Sequence, residues 1–216
     1  MSSTKLVIII PGSQAKLPTG FKKVFSGLYR HFGVEYGHED WAVDLKKHIE
    51  SKVAIDVRVF DWSRGITRIF SLNPAIKKLT KLLKQAQHQY DEIILFGKSL
   101  GGLIAEEAVR HCDSRKFHLI YLATPHKNKE PRLPQALSMT NIYSSDDKFQ
   151  QFGINVLYFG AGSRELQNAE NIALADVGHS DFKRNITISY KGREIQLFDF
   201  YTDIILTRRK PGHYSQ

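Results

Sequence analysis

The chain has 216 residues, of which 42% are hydrophobic and 25% are charged. This composition is typical of a soluble globular protein, and the length allows one well-packed domain but not two ordinary ones, so we expect a single domain over residues 1–216. The formal net charge of +9 would suit an anionic ligand, but no nucleic-acid-binding motif accompanies it, and we expect no specific nucleic-acid partner.

Neither a transmembrane segment nor an intramolecular disulfide is expected. The longest unbroken apolar run, Leu6–Ile10, is too short for a transmembrane segment or a signal peptide, and we interpret it as a buried strand. The single cysteine, Cys112, excludes an intramolecular disulfide and indicates no metal cluster. We therefore expect a cytoplasmic protein.

Short apolar runs alternate with stretches of helical periodicity along most of the chain. The predicted strands are Lys5–Ile10, Ala54–Phe60, Glu92–Phe96, Phe117–Leu122, Ala136–Tyr143 and Ile154–Phe159. The predicted helices between them are Glu39–Ser51, Pro74–Gln89 and Leu100–Cys112. Near the end, the pattern predicts a hairpin of Ile186–Tyr190 with Glu194–Leu197 and a closing helix, Phe198–Arg209. This order predicts an α/β fold with a mostly parallel central sheet and helices on both faces.

Three irregular stretches follow the carboxyl ends of predicted strands. They cover residues 11–38, 61–73 and 124–134. In an open parallel sheet, the loops at this edge form the ligand site, so these stretches are candidate pocket walls.

The most informative segment is Gly97-Lys98-Ser99-Leu100-Gly101-Gly102, which follows an apolar strand and opens a helix. It contains the pattern G-x-S-x-G, in which small neighbours allow a sharp turn that exposes the serine at a helix N-terminus. The segment lacks the upstream glycine of a Walker phosphate loop and the spacing of a dinucleotide-binding loop. We therefore expect Ser99 to be a nucleophile.

A serine nucleophile needs a basic histidine and an acid that orients it. Of the histidines well downstream of Ser99, His118 lies inside an apolar strand and His126 at a strand end, so we favour His179, in the loop after the last parallel strand. The acid should follow the preceding strand, where either Asp146 or Asp147 could accept the imidazole N–H.

The oxyanion of an acyl-transfer intermediate needs two backbone donors. One is the amide of Leu100, directly after the nucleophile. The other should come from the loop after the first strand, where Gly12 lets the backbone pass close and the amide of Ser13 is the candidate donor.

Taken together, these segments resemble the α/β-hydrolase superfamily, and within it the small lipase-like or esterase-like branch. Five segments carry the resemblance in the same order along residues 5–182, and they are Ile10-Pro11-Gly12-Ser13, the serine turn, Thr124-Pro125-His126, Ile142–Asp147 and Val177-Gly178-His179. The resemblance implies the catalytic triad Ser99, Asp147 and His179, and it places the acid on Asp147 rather than Asp146. It also implies Ser13 as the oxyanion residue.

The sequence departs from that family at three points. Pro11 stands where a histidine usually precedes the oxyanion glycine, and Lys98 replaces the usual histidine before the nucleophile. The Thr-Pro-His segment continues with Lys127 instead of Gly-Ser. No segment is long enough for a large cap domain, and the expected sheet is the smaller version with six strands.

These residues predict a serine hydrolase that cleaves small-molecule carboxylic esters through a covalent acyl-enzyme. This acyl-transfer chemistry needs no metal ion and no organic cofactor, and we expect neither. One alternative is an acyl-thioesterase with an anionic substrate, suggested by Lys98, Arg64, Arg68 and Lys127 near the predicted pocket loops. Another is a catalytically silent α/β-hydrolase fold that serves as a binding module. The sequence does not indicate an oligomeric state.

Overall fold

The computed structural model of the protein describes residues 4–12, 40–62, 72–126, 133, 136–158 and 162–207. The strands are β1 (Lys5–Ile10), β2 (Asp56–Val59), β3 (Glu92–Lys98), β4 (Phe117–Leu122), β5 (Ser138–Ser144), β6 (Glu170–Leu174), β7 (Thr187–Tyr190) and β8 (Arg193–Gln196). The helices are α1 (Trp41–Lys52), α2 (Asn73–Ala86), α3 (Leu100–Val109), α4 (Lys148–Tyr158) and α5 (Leu197–Thr207). One domain over residues 1–216 stays a prediction, because parts of that range lie outside the described residues.

Six strands form one sheet in the order β2-β1-β3-β4-β5-β6, and every neighbouring pair is parallel. The predicted hairpin is also present, as the antiparallel pair β7 and β8. The strand order reverses between β1 and β3. In sheets of this kind, the crevice beyond the carboxyl ends at that point is the usual ligand site.

The hydrophobic core lies on both faces of the sheet, as the sequence predicts. Alternate residues of β1 separate the two sides: Val7 and Ile9 belong to the cluster with α1 and α5, whereas Leu6, Ile8 and Ile10 belong to the cluster with α2 and α3. All five side chains are fully buried. This double burial explains why the strand is a continuous apolar run.

One predicted strand is wrong. The predicted strand was Ile154–Phe159, but its residues 154–158 belong to helix α4, and Phe159 lies outside the described residues. The side chains buried in and just before α4 are Asp147, Gln150 and Ile154, whose spacing of three and four residues is helical. A short apolar run does not distinguish a strand from a buried helix segment, which explains the error.

The last parallel strand is β6, which the sequence analysis did not identify. It is the edge of the sheet, and only Ile172 and Leu174 of its five residues are buried. The other predicted elements are present with ends that differ by a few residues. None of the described helices combines the length and apolar character needed to cross a membrane.

Candidate active site

Ser99 occupies a sharp turn between β3 and α3. Its φ is 51° and its ψ is −123°, a backbone conformation that residues other than glycine rarely adopt. The Ser99 N–H donates a hydrogen bond of 2.8 Å to the carbonyl of Leu122, which ties the turn to β4. The strand, turn and helix predicted around Ser99 are therefore present, and its side chain lies at the carboxyl edge of the sheet.

Two glycines allow this turn to pack closely. A Cβ added at Gly97 would lie 2.6 Å from the Cα of Gly102. A Cβ added at Gly101 would overlap the backbone carbonyl oxygen of Ile10, at the end of β1. The obstructing atoms are backbone atoms, which cannot swing away, so larger residues at these positions would push α3 away from the sheet.

The loop after β1 passes directly against the turn. A Cβ added at Gly12 would lie 3.2 Å from the Cβ of Ser99, so the backbone of Gly12 lies beside the serine. The indole N–H of Trp62 donates a hydrogen bond of 2.7 Å to the carbonyl of Pro11, which holds this loop in place. Leu100 begins α3, and its N–H is one of the amides that a helix leaves unpaired at its N-terminus. Ser13 lies outside the described residues.

His179 and Asp147 are in direct contact. His179 Nδ1 lies 2.7 Å from Asp147 Oδ2, although the two residues belong to different loops, after β6 and β5. Asp147 is fully buried and His179 is 7% exposed. The pair is therefore shielded from water, which strengthens its electrostatic interaction.

Neighbouring groups fix the orientation of this pair. The second oxygen of Asp147, Oδ1, accepts a hydrogen bond of 2.8 Å from the backbone N–H of Gln150 in α4. The ring of Phe149 lies 4.6 Å from the ring of His179, measured between centroids. The Gly178 N–H donates to Asp181 Oδ2 over 2.9 Å, which secures the loop that carries His179.

Asp146 has a different environment from Asp147. Its side chain is exposed, and its Oδ2 accepts a hydrogen bond of 3.2 Å from the backbone N–H of Asp176. Asp146 therefore connects the loop after β5 to the loop that holds His179. The carboxylate that contacts the imidazole is that of Asp147.

The second ring nitrogen of His179 contacts a lysine. Lys98 Nζ lies 3.0 Å from His179 Nε2, and the lysine side chain is 2% exposed. Among the hydrogen bonds of the described residues, Nε2 is therefore paired with Lys98 and not with Ser99. Lys98 departs from the family pattern in sequence, but its contact with His179 could not be predicted from that departure.

The pKa values at the site reflect this burial. Burial lowers the pKa of Lys98 to about 7, and the charge of Lys183 acts in the same direction. Burial and the charge of Lys98 lower the pKa of His179 to about 4, against the opposing effect of Asp147. Burial alone would raise the pKa of Asp147, but hydrogen bonds and positive charges hold it below its ordinary value. The geometry thus favours a neutral imidazole beside an ionised Asp147.

The two other downstream histidines lie elsewhere. His126 is buried, with Nε2 3.2 Å from Asn141 Oδ1 and its ring against Tyr121. His118 Nδ1 lies 2.6 Å from Ser138 Oγ in the sheet. Burial lowers the pKa of each to about 4, and neither contacts Ser99 or Asp147 through a described hydrogen bond.

Several predicted features cannot be placed. Arg64, Arg68 and Lys127 lie outside the described residues, as does most of each predicted pocket-wall stretch. In the part of the chain that is described, no group of three or more His, Cys, Asp or Glu residues could hold a metal ion.

Comparison with known proteins identifies the family. The sequence profile of the PGAP1-like alpha/beta domain matches residues 66–187, more than half of the chain. The chain belongs to this family. The matched range of this PGAP1-like alpha/beta domain contains the serine turn, Lys98, Asp147 and His179.

A solved structure supports the fold of this PGAP1-like domain. The structure of a "predicted CIB-like hydrolase" from Thermoplasma acidophilum matches with a TM-score of 0.50 and 15% sequence identity. The match covers 94% of this chain and 85% of that chain. Together with the family match, it confirms membership of the α/β-hydrolase superfamily. No curated protein matches the sequence.

Proposed function

We propose that the protein is a serine hydrolase that cleaves carboxylic esters of small molecules through a covalent acyl-enzyme. The observation that carries the proposal is the 2.7 Å contact between His179 and buried Asp147, at the same sheet edge as the strained turn of Ser99. An imidazole held by a carboxylate, at the same sheet edge as a serine in a sharp strand-to-helix turn, is the arrangement that acyl transfer requires.

Each residue has one role in the proposed reaction. Ser99 Oγ attacks the ester carbonyl while His179 Nε2 accepts the serine proton, and the carbonyl π electrons move to the oxygen. The tetrahedral intermediate collapses when the bond to the alcohol breaks and His179 returns the proton to the leaving oxygen. Water then attacks the acyl-serine by the same proton route, which releases the acid and restores Ser99.

The remaining groups stabilise charge. Asp147 holds the His179 tautomer in which Nε2 is the accepting nitrogen, and it stabilises the imidazolium when that forms. The amide of Leu100 and, in our proposal, the amide of Ser13 donate to the oxyanion. Gly12 lets the backbone that leads to Ser13 approach the reacting carbonyl.

Labelling with a fluorophosphonate probe tests the nucleophile. We expect the wild type to label and to hydrolyse p-nitrophenyl esters, and Ser99→Ala to do neither. Ser145→Ala removes an exposed serine of a loop at the same edge of the sheet and should leave both signals unchanged. Labelling that persists in Ser99→Ala would contradict the proposed nucleophile. A folded wild type that neither labels nor hydrolyses esters would instead favour the binding-module alternative. Acyl-thioesters assayed in parallel distinguish an esterase from a thioesterase, since a marked preference for esters contradicts the thioesterase alternative.

A further inference from the structure

We propose that Lys98 makes this site select esters that carry an anionic group, such as a carboxylate, within several bonds of the scissile carbonyl. The inference rests on the proposed hydrolysis at Ser99 and adds the chemical class of its substrate.

The contact places Lys98 on the atom that has to act as the base. His179 Nδ1 is paired with Asp147, so Nε2 is the nitrogen left to accept the proton of Ser99. Lys98 Nζ lies 3.0 Å from Nε2, within hydrogen-bonding distance of it. Before Ser99 can transfer its proton, the amine of Lys98 must move off Nε2, and its flexible four-carbon stem permits such a movement.

The charges around the contact do not balance. Lys98 is 2% exposed, and Lys183, whose charge acts on Lys98, is partly buried. Within the described residues, neither lysine forms a salt bridge with a carboxylate. The carboxylate whose charge acts on Lys98 is that of Asp147, but among the described hydrogen bonds its side-chain oxygens pair with His179 and the Gln150 amide and not with Lys98. A buried ammonium without a carboxylate partner is costly, and an anionic group of a substrate would relieve this cost.

An anionic substrate therefore acts on two groups at once. Its negative charge pairs with the Lys98 ammonium and draws it away from His179, and this movement frees Nε2 for Ser99. Because burial lowers the pKa of Lys98 to about 7, the pairing also favours the charged form of the lysine. A neutral ester offers no such partner and leaves Lys98 on the imidazole. The substrate charge should thus affect turnover as well as binding.

Matched ester pairs that differ in one charge test the inference. The first pair carries the charge in the acyl part: mono-p-nitrophenyl adipate and its neutral methyl ester. The second carries it in the leaving group: 4-carboxyphenyl hexanoate and its neutral methyl ester. For at least one pair, we expect the wild type to show a kcat/KM about 10-fold or more higher for the anionic member, from the strength of a hydrogen bond between charged groups.

Lys98→Met removes the charge but keeps an unbranched side chain of similar length. We expect this variant to lose the preference and to hydrolyse the neutral esters faster than the wild type, because Nε2 is no longer occupied. Lys84→Met changes the net charge equally on the exposed side of α2 and should keep the wild-type preference. A purely structural role of Lys98 would instead lower the rates on both members of a pair together.

The outcomes separate the two proposals. A wild type that is active but prefers the neutral member of both pairs, or treats the members equally, overturns the inference while ester hydrolysis stands. A preference that survives in Lys98→Met also overturns it. Activity no higher than that of Ser99→Ala on every ester overturns the proposed function and the inference with it. If Lys98→Met does not fold, the inference is tested by the wild-type preference and by Lys98→Arg. We expect Lys98→Arg to keep the preference for the anionic ester.

Discussion

At the scale of single residues, the two nitrogens of His179 have partners of opposite charge. Nδ1 faces the carboxylate of Asp147, and Nε2 faces the amine of Lys98. The carboxylate raises the basicity of the imidazole, whereas the charged amine lowers it and competes for the proton-accepting position. The reactivity of Ser99 in our proposal therefore depends on which of these two neighbours has the larger effect when the substrate is bound.

Replacing the orienting carboxylate tests the role of Asp147. In Asp147→Asn, an amide replaces the acceptor of the Nδ1–H bond, the wrong tautomer is favoured, and we expect kcat for ester hydrolysis to fall about 100- to 10,000-fold. Steady-state kinetics with a p-nitrophenyl ester measure the effect. Asp146→Asn keeps an oxygen for the Asp176 amide and should stay within a few-fold of the wild type. Equal losses in the two variants would argue against Asp147 as the triad acid.

Removing Lys98 should also stabilise the fold, with a defined dependence on pH. In the folded protein Lys98 loses its proton near pH 7, whereas its ordinary pKa is 10.5, so folding expels a proton between these values. Lys98 therefore lowers the free energy of unfolding of the wild type most below about pH 7, and this penalty shrinks as the pH rises from about 7 to 10.5. We expect Lys98→Met to raise Tm most near pH 6, with a smaller gain at each higher pH. Thermal melts at several pH values check this, and a gain independent of pH would contradict it.

Sequence reasoning predicted Ser99 and His179 from short motifs and their order in the chain, and the family resemblance favoured Asp147 over Asp146. It could not locate the contact between Lys98 and His179, since these residues are 81 positions apart and the contact depends on where a long side chain points. The support from Phe149 and Gln150 was missed for another reason. The sequence predicted a strand in the second half of helix α4 and no element in its first half. Phe149 and Gln150 therefore had no predicted position near the acid.

At the scale of secondary structure elements, the site depends on how closely α3 approaches β1. Because the carbonyl of Ile10 lies where a Cβ of residue 101 would be, Gly101→Ala should destabilise the fold by about 1–3 kcal/mol or more. Gly153→Ala is the matched control, since its Cβ would meet side-chain atoms of Pro125 at an ordinary 3.7 Å within helix α4. That control should gain about 0.5–1 kcal/mol from helix propensity. Urea unfolding of both variants measures the difference, and equal effects would refute the close-packing argument.

Strands were predicted more accurately from the sequence where both of their faces are buried. Strands β1 and β4 are buried on both faces, and their continuous apolar runs were identified with correct ends. The edge strand β6 alternates exposed and buried residues over only five positions, so its apolar signal is weak. The apolar run near Ile154 gave a stronger signal than β6, but it belongs to a helix. Its helical character is visible only when the buried positions Asp147 and Gln150 are included, because the three buried residues then have helical spacing.

At the scale of the whole molecule, the net charge of +9 should act on the encounter with substrate. A positive field raises the association rate of anionic molecules, and salt screens it over about 8–10 Å near physiological ionic strength. We expect kcat/KM for the anionic ester of each matched pair to fall several-fold between low and high salt, roughly 20 and 300 mM. The neutral ester serves as the control and should change little. A fall of equal size for both esters would indicate a salt effect on the enzyme itself.

The position of β6 at the edge of the sheet has a consequence for the lifetime of the proposed activity. In the described part of the chain, β6 is paired through its backbone on one side only, and the loop after it carries His179. Edge elements open at a lower free-energy cost than the core, so this strand can detach while the packing of α1 and α5 on the sheet persists. Such an opening would carry the imidazole of His179 away from Asp147 in a molecule that is otherwise folded. In our proposal, the half-life of activity then depends on the fraying of one strand and can be much shorter than the half-life of the fold.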